Sequence, residues 1–373
     1  MKRRQFLSRL ALIPLSITAP HVFSDSFDEF LKSQHIEAEK VKDDFQSYQE
    51  NYLDSFEQYK RALAEEWQAV EISDQDIWVT YGKNLKTKTV VDFVRNEIRI
   101  SYKSANPSET LNTDLAHLLN LSEYQAIVDD PTNNSALHAQ EFSDNKRKLL
   151  SELNAFYGNS DNARKQLKKV AIVDRIKTSK GDVTTVTLPL PKQLPFKRAE
   201  KYLASAKRAA KKWNIDPALV MAIAHTESHF NPLARSHIPA FGLMQIVPAS
   251  AGKDASKLMT GKTRLLTSTE LYDADFNLET GSAYLNLLQT RYLKGINNPT
   301  SRMYCVIAAY NTGSGNVAKA FVGTASMQAA FDIINQLPPE RVYDRLKKEL
   351  PYAETRRYII KVMAHRKTYQ QII

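Results

Sequence analysis

The sequence predicts an α+β N-terminal part at about 25–190 and an all-α C-terminal part at about 196–373. Three observations predict it. At Thr89, Val91 and Phe93, and again at Ile98, Ile100 and Tyr102, the pattern repeats at every second position, the period of a half-buried strand. Pro189, Pro191 and Pro195 then crowd together and read as a linker. Beyond them the apolar spacing turns to threes and fours, the period of helices.

The first 24 residues read as a secretory leader, outside the fold. Lys2, Arg3 and Arg4 form a basic head, a short apolar stretch runs from Phe6 to Ala19, and Val22-Phe23-Ser24 offers a small residue at the cut. Arg9 and Pro14 interrupt the stretch, which is too short to span a bilayer as a helix. Arg3-Arg4-Gln5-Phe6-Leu7 resembles a twin-arginine export motif, with an ordinary Sec leader as the alternative. The expected location is therefore the periplasm. No cysteine lies near the cut to carry a lipid anchor.

The chain has 373 residues, 43% hydrophobic and 25% charged, an ordinary globular composition long enough for two domains with a real core. Its single cysteine, Cys305, permits no internal disulfide and no multi-cysteine zinc site. It lies in the apolar run Met303–Ala309 and reads as a buried core thiol. Net charge is +10, and the leader holds Lys2, Arg3, Arg4 and Arg9, which leaves about +6 for the rest. Such a balance suits a polyanionic cell wall or a peripheral place at the envelope. No nucleic-acid module accompanies it.

Taken in order, Phe45, Tyr48, Tyr52, Phe56, Tyr59, Leu63 and Trp67 place one apolar face on a long helix. Ile77–Tyr81 reads as a strand. Thr89, Val91 and Phe93, then Ile98, Ile100 and Tyr102, read as a hairpin turning at Arg95-Asn96-Glu97. Residues 105–160 are polar and mostly helical, with a loop at Asp129–Asn134. Residues 164–180 are rich in Lys and Arg and read as a solvated surface. Val183 to Leu190 reads as a further strand. No internal repeat is visible.

The chemistry concentrates after the prolines. Asp216-Pro217 is a helix start, with an N-cap oxygen and a proline at the first helical position. Leu219, Val220 and Ile223 form the apolar stripe of that helix, and Asn231-Pro232 is its expected end. The next position on the stripe is Glu227. A carboxylate where the pattern calls for an apolar residue is a local conflict of the kind that marks functional sites. Desolvation and the negative helix end both raise its pKa, as a general acid near neutral pH requires. The alternative is a surface glutamate at a fraying helix end.

Four blocks follow in order: Glu227-Ser228-His229-Phe230-Asn231-Pro232 with Ser236; Gly242-Leu243-Met244-Gln245; Ala309-Tyr310-Asn311-Thr312-Gly313; and Pro351-Tyr352-Ala353-Glu354-Thr355-Arg356-Arg357-Tyr358. Together they resemble the Slt-type lytic transglycosylase domain over roughly 196–373. The resemblance implies a lysozyme-like helical fold. Gly295–Arg302 and the 80–102 hairpin are similar to the membrane-bound lytic murein transglycosylase C group in particular. That group carries a lipid-anchor cysteine after its leader, which this chain lacks.

The resemblance also implies roles. Glu227 is the catalytic acid and base. Ser236, Met244, Gln245, Tyr310, Asn311 and Glu354 line the substrate cleft. Met244 and Tyr358 have plain packing as the alternative reading, preferred for Tyr358, and Asn311, Gly313 and Gly315 have a helix–helix turn. The implied reaction is cleavage of the β-1,4 bond between N-acetylmuramic acid and N-acetylglucosamine of peptidoglycan, closing a 1,6-anhydro ring, with no metal or cofactor. A lysozyme-type hydrolase and a non-catalytic wall-binding protein are the rival readings.

Overall fold

A computed structural model describes residues 47, 50–103, 107, 110–132, 146–236 and 239–373. The leader at 1–24, Phe45, Tyr48, Asn133 and Asn134 lie outside the described residues. The aromatic face expected of the first helix is carried by α1, over 50–66. Tyr52, Leu63 and Trp67 are buried, and the Tyr52 ring meets the Phe241 ring edge-on at 5.8 Å. This helix therefore packs onto the C-terminal half.

A five-stranded antiparallel sheet follows, in spatial order β1-β2-β3-β5-β4. Its strands are β1 (Ile77–Tyr81), β2 (Thr87–Asp92), β3 (Glu97–Tyr102), β4 (Ile172–Thr178) and β5 (Gly181–Pro189). Burial of Val91, Ile98, Ile100, Val186 and Leu188 fixes its register. β4 corrects the reading of 164–180 as mere solvated surface. Ile172, Val173 and Ile176 pair against Thr187, Val186 and Val183 of β5. Asp174 and Arg175 separate Val173 from Ile176, so no apolar alternation is there to read. As an edge strand β4 still faces solvent, with Ile172 53%, Val173 53% and Ile176 57% exposed.

Among the described residues four short helices lie between β3 and β4: α2 (Leu111–Asn120), α3 (Glu123–Val128), α4 (Ser151–Tyr157) and α5 (Ser160–Lys169). Only 190–193 separate β5 from α6 (Leu194–Trp213). That link is tied down, because Asn96 at the hairpin turn donates its amide to the carbonyls of Leu190 and Pro191 at 3.1 and 3.0 Å. On α6, buried Arg198 pairs with buried Glu152 at 3.1 Å and stacks over Phe93 at 4.7 Å. Lys201 reaches Glu123 at 2.8 Å. A continuous apolar core runs from the sheet through these contacts into the helices that follow.

Those helices are α7 (Pro217–Ser228), α8 (Lys253–Thr260), α9 (Ser268–Tyr272), α10 (Ala274–Leu287), α11 (Pro299–Thr312), α12 (Ser314–Val322), α13 (Met327–Asn335), α14 (Pro339–Glu349) and α15 (Ala353–Gln370). Helix α7 is central, with Ala218 to Ala224 all buried. Its apolar surface is therefore wider than a stripe. It also ends earlier than the Asn231-Pro232 stop, because His229 takes a left-handed cap at φ 50° and bonds back to His225. Helix α15 lies along it, held by Arg366 on Asp216 at 2.6 Å and Tyr369 Oη beside His225 Nδ1 at 2.9 Å. Cys305 is buried in α11. Among the described residues no helix is long and apolar enough to cross a membrane.

Candidate active site

Glu227 occupies the last turn of α7, with its side chain half-buried. Tyr358, from the second turn of α15, donates its hydroxyl to Glu227 Oε1 at 2.7 Å. Burial pushes the Glu227 carboxyl up to about 7, the Tyr358 hydrogen bond opposes that rise, and the charge of Glu354 adds to it. At neutral pH the group is divided between acid and carboxylate, so it can serve as proton donor and then acceptor. The plain-packing reading preferred for Tyr358 is thereby corrected. Its ring is buried, but its hydroxyl is the hydrogen-bond partner of the central carboxyl.

The Gly242–Gln245 block forms a tight turn against α10. Gly242 has φ 73°, and a Cβ there would collide with the Leu271 carbonyl and the Asn277 amide. Asn277, fully buried, receives the Met244 N–H at 2.8 Å and donates to the carbonyls of Phe241 and Leu271 at 2.9 and 2.7 Å. Ser228, next to Glu227, donates to the Leu243 carbonyl at 2.8 Å. Tyr310 donates to the Met244 carbonyl at 2.8 Å. Burial and the nearby Glu227 charge hold its hydroxyl well above its ordinary pKa. The Met244 side chain packs against Gly281 and is fully buried. Gln245 stands at φ 47°, a left-handed backbone costly for a residue with a side chain.

The remaining expected residues are placed less centrally. Asn311 accepts a hydrogen bond from Thr355 at 2.7 Å, which ties the end of α11 to the start of α15. Glu354 lies exposed in the first turn of α15 and acts on Glu227 through its charge. Ser236 lies on the loop after α7, its N–H bonded to the Ala240 carbonyl at 3.1 Å.

The segment leading into β1 also reaches this site, which the sequence reading missed. Gln75 donates to Gln245 Oε1 at 3.2 Å, and Asp76 pairs with His229 Nδ1 at 3.3 Å. Arg235 donates to the Ser73 carbonyl at 3.1 Å and pairs with Asp130 at 2.8 Å. The loop after Glu227 is thus clamped by the N-terminal half. Gln75 and Asp76 stand in the polar run Ser73–Asp76, where nothing in the spacing distinguishes them. Among the described residues no group of three or more His, Cys, Asp or Glu could hold a metal ion.

A family model described as the transglycosylase SLT domain matches residues 204–331. The chain is 33% identical over 304 residues to the membrane-bound lytic murein transglycosylase C of Edwardsiella ictaluri, covering 79% of this chain and 82% of that protein. It is 44% identical over 194 residues to the protein of the same name from Sodalis glossinidius, covering 52% of this chain and 54% of that one. In that match the chain spans about half the length of its relative. A solved structure, the 70 kDa soluble lytic transglycosylase of Escherichia coli, is 25% identical over 46% of this chain and 24% of its own, at a TM-score of 0.35. The chain belongs to the membrane-bound lytic murein transglycosylase C family.

Proposed function

We propose that this protein is a peptidoglycan lytic transglycosylase, with Glu227 as its acid and base. The observation that carries the reading is a carboxyl raised to about 7 in the last turn of a buried helix, with a tyrosine hydroxyl on one oxygen. Its protonated form gives a proton to the oxygen of the β-1,4 bond. The C1–O bond breaks and its electron pair stays on the leaving oxygen. The Glu227 carboxylate then takes the proton of the muramic C6 hydroxyl, and that oxygen closes on C1 as a 1,6-anhydro ring. The attacking hydroxyl is already held beside C1, so little orientation entropy remains to be lost. Gln245 and Tyr310 line the cleft around the bond, with fully buried Met244 packed behind them instead of facing substrate, while Ser236, Asn311 and Glu354 border it.

The N-terminal part at 25–190 and the catalytic part at 196–373 act as two domains of one exported, envelope-associated enzyme. Family membership and the charge of about +6 that remains without the leader, suited to an anionic wall, support this placement. Digestion of purified wall in ¹⁸O-water tests the reaction. An unlabelled anhydro-muramic terminus is the expected product. A labelled reducing terminus as the main primary product would make the enzyme a hydrolase.

A further inference from the structure

Arg235 lies in the connection after α7, yet only 3% of it is exposed. Burying a cation is costly unless it is paired and hydrogen-bonded. The partners here come from the N-terminal half. Nε donates to the Ser73 carbonyl at 3.1 Å, 162 residues earlier in the chain. One terminal nitrogen donates to Asp130 Oδ2 at 2.8 Å and to the Thr132 hydroxyl. Thr132 gives its own N–H and hydroxyl to Asp130 Oδ1 at 2.9 and 2.7 Å, so both oxygens of that carboxylate are engaged. The guanidinium also lies over the Phe56 ring of α1 at 5.6 Å. The Arg235 backbone N–H reaches the Asp74 carbonyl at 3.3 Å.

What this anchor holds borders the cleft. Arg235 and Phe241 form an antiparallel bridge. Beside it, Ser236 N–H bonds the Ala240 carbonyl at 3.1 Å and Gly242 N–H bonds the Ala234 carbonyl at 2.8 Å. Residues 234–236 therefore form one arm, and residues 240–242 form a second that runs into the Gly242–Gln245 turn. The second arm has supports of its own, because Asn277, Ser228 and Tyr310 hold the turn from α10, α7 and α11. On the first arm the long side chain is Arg235, between the small Ala234 and Ser236. Glu227 is held separately, by Tyr358. Loosening Arg235 would thus displace Ser236 and leave the carboxyl and its hydroxyl partner in place.

We infer that Arg235 is a positioning residue for substrate binding: bonded to Asp130, it fixes the arm that sets Ser236 at the cleft. The inference rests on the proposed activity, in which Ser236 borders the cleft, and the tests separate the two.

Two variants of the full chain probe it. Arg235→Lys keeps a charge opposite Asp130, but an ammonium cannot replace the fork that spans Asp130 and the Ser73 carbonyl together. Arg235→Met combined with Asp130→Leu removes both charges, a replacement that buried pairs often tolerate. Chemical unfolding shows whether each is folded, and cleavage of soluble strands then gives kcat and KM. In both variants KM should rise at least about fivefold, with kcat within about twofold of wild type. The pH–rate profile should not move, since Glu227 and Tyr358 are untouched. Wild-type KM in either folded variant overturns the inference, and so does a fall in kcat at unchanged KM, which would mean only a lost folded fraction. Failure of both variants to fold also overturns it, because Arg235 would then serve the core.

Amide exchange tests the anchor without substrate. The N–H groups of Ser236 and Gly242, bonded across the two arms, should exchange at least about tenfold faster in Arg235→Lys than in wild type, with α11 unchanged. Equal exchange overturns the inference. Absence of strand cleavage by wild type would refute the proposed activity, while the exchange rates would still decide whether Arg235 holds the arm.

Discussion

Tyr358 and Glu227 are 131 residues apart in sequence and share a 2.7 Å hydrogen bond between α15 and α7. The hydroxyl donates to the carboxylate, so it favours the charged form and holds down a pKa that burial raises. Tyr358→Phe removes that restraint. The alkaline limb of the pH–rate profile should move to higher pH, with kcat falling roughly tenfold as the carboxyl loses its orientation. A lower kcat with an unmoved alkaline limb would reduce Tyr358 to packing.

Glu227→Gln should abolish strand cleavage, by a factor of about 10³ or more, while the fold survives. Activity within tenfold of wild type would remove Glu227 from its role.

The same substitution has a stability consequence with a definite sign. The folded-state pKa of Glu227, about 7, lies above the 4.5 of an ordinary glutamate. Folding therefore favours the protonated form, and wild type loses stability as pH rises from 4.5 through 7. The limit is on the order of 3 kcal/mol, reduced by solvent on the open side. Glu227→Gln carries no such penalty, so its stability advantage over wild type should grow across that interval. Denaturant unfolding of both proteins at pH 5 and pH 8 checks it, and a constant difference would contradict the desolvation argument.

Gly242→Ala should cost more than about 2 kcal/mol, through both the left-handed φ and the collision with Leu271 and Asn277. Activity should fall with it, since the turn places Met244 and Gln245. A variant as stable as wild type would show that the turn can relax.

Glu152→Gln leaves buried Arg198 without its counter-charge and should destabilise by about 3–5 kcal/mol. Replacing both, as Arg198→Met with Glu152→Leu, should recover much of that loss. Chemical unfolding of the three variants decides whether the pair or the surrounding packing matters.

The strands at 77–81, 87–92 and 97–102 were legible because one apolar residue in two must face the core. Glu227 was legible because a carboxyl interrupts an apolar helix. β4 was hidden because Asp174, Arg175 and Lys177 fall among Ile172, Val173 and Ile176 and leave no apolar alternation to read. Tyr358 was hidden because a buried tyrosine looks the same in sequence whether its hydroxyl meets a backbone carbonyl or the central carboxyl. Gln75 and Asp76 could not be found by spacing at all. Their role comes from a tertiary clamp joining them to Gln245 and His229, more than 150 residues away.

Among the described residues β4 has no strand on its outer side, and its charges work against self-association. Two copies pairing edge to edge across a twofold axis must set same-face residues opposite one another. Centred on Arg175, such a pairing sets Arg175 against its own image. Centred on Asp174 it opposes two aspartates, and centred on Ile176 it sets Arg175 against Lys177. Each of these three overlaps brings like charges together, which opposes burial of the exposed Ile172, Val173 and Ile176 in those registers. Arg175 and Lys177 thus oppose two of these three pairings, and neutralising them should ease edge-to-edge association.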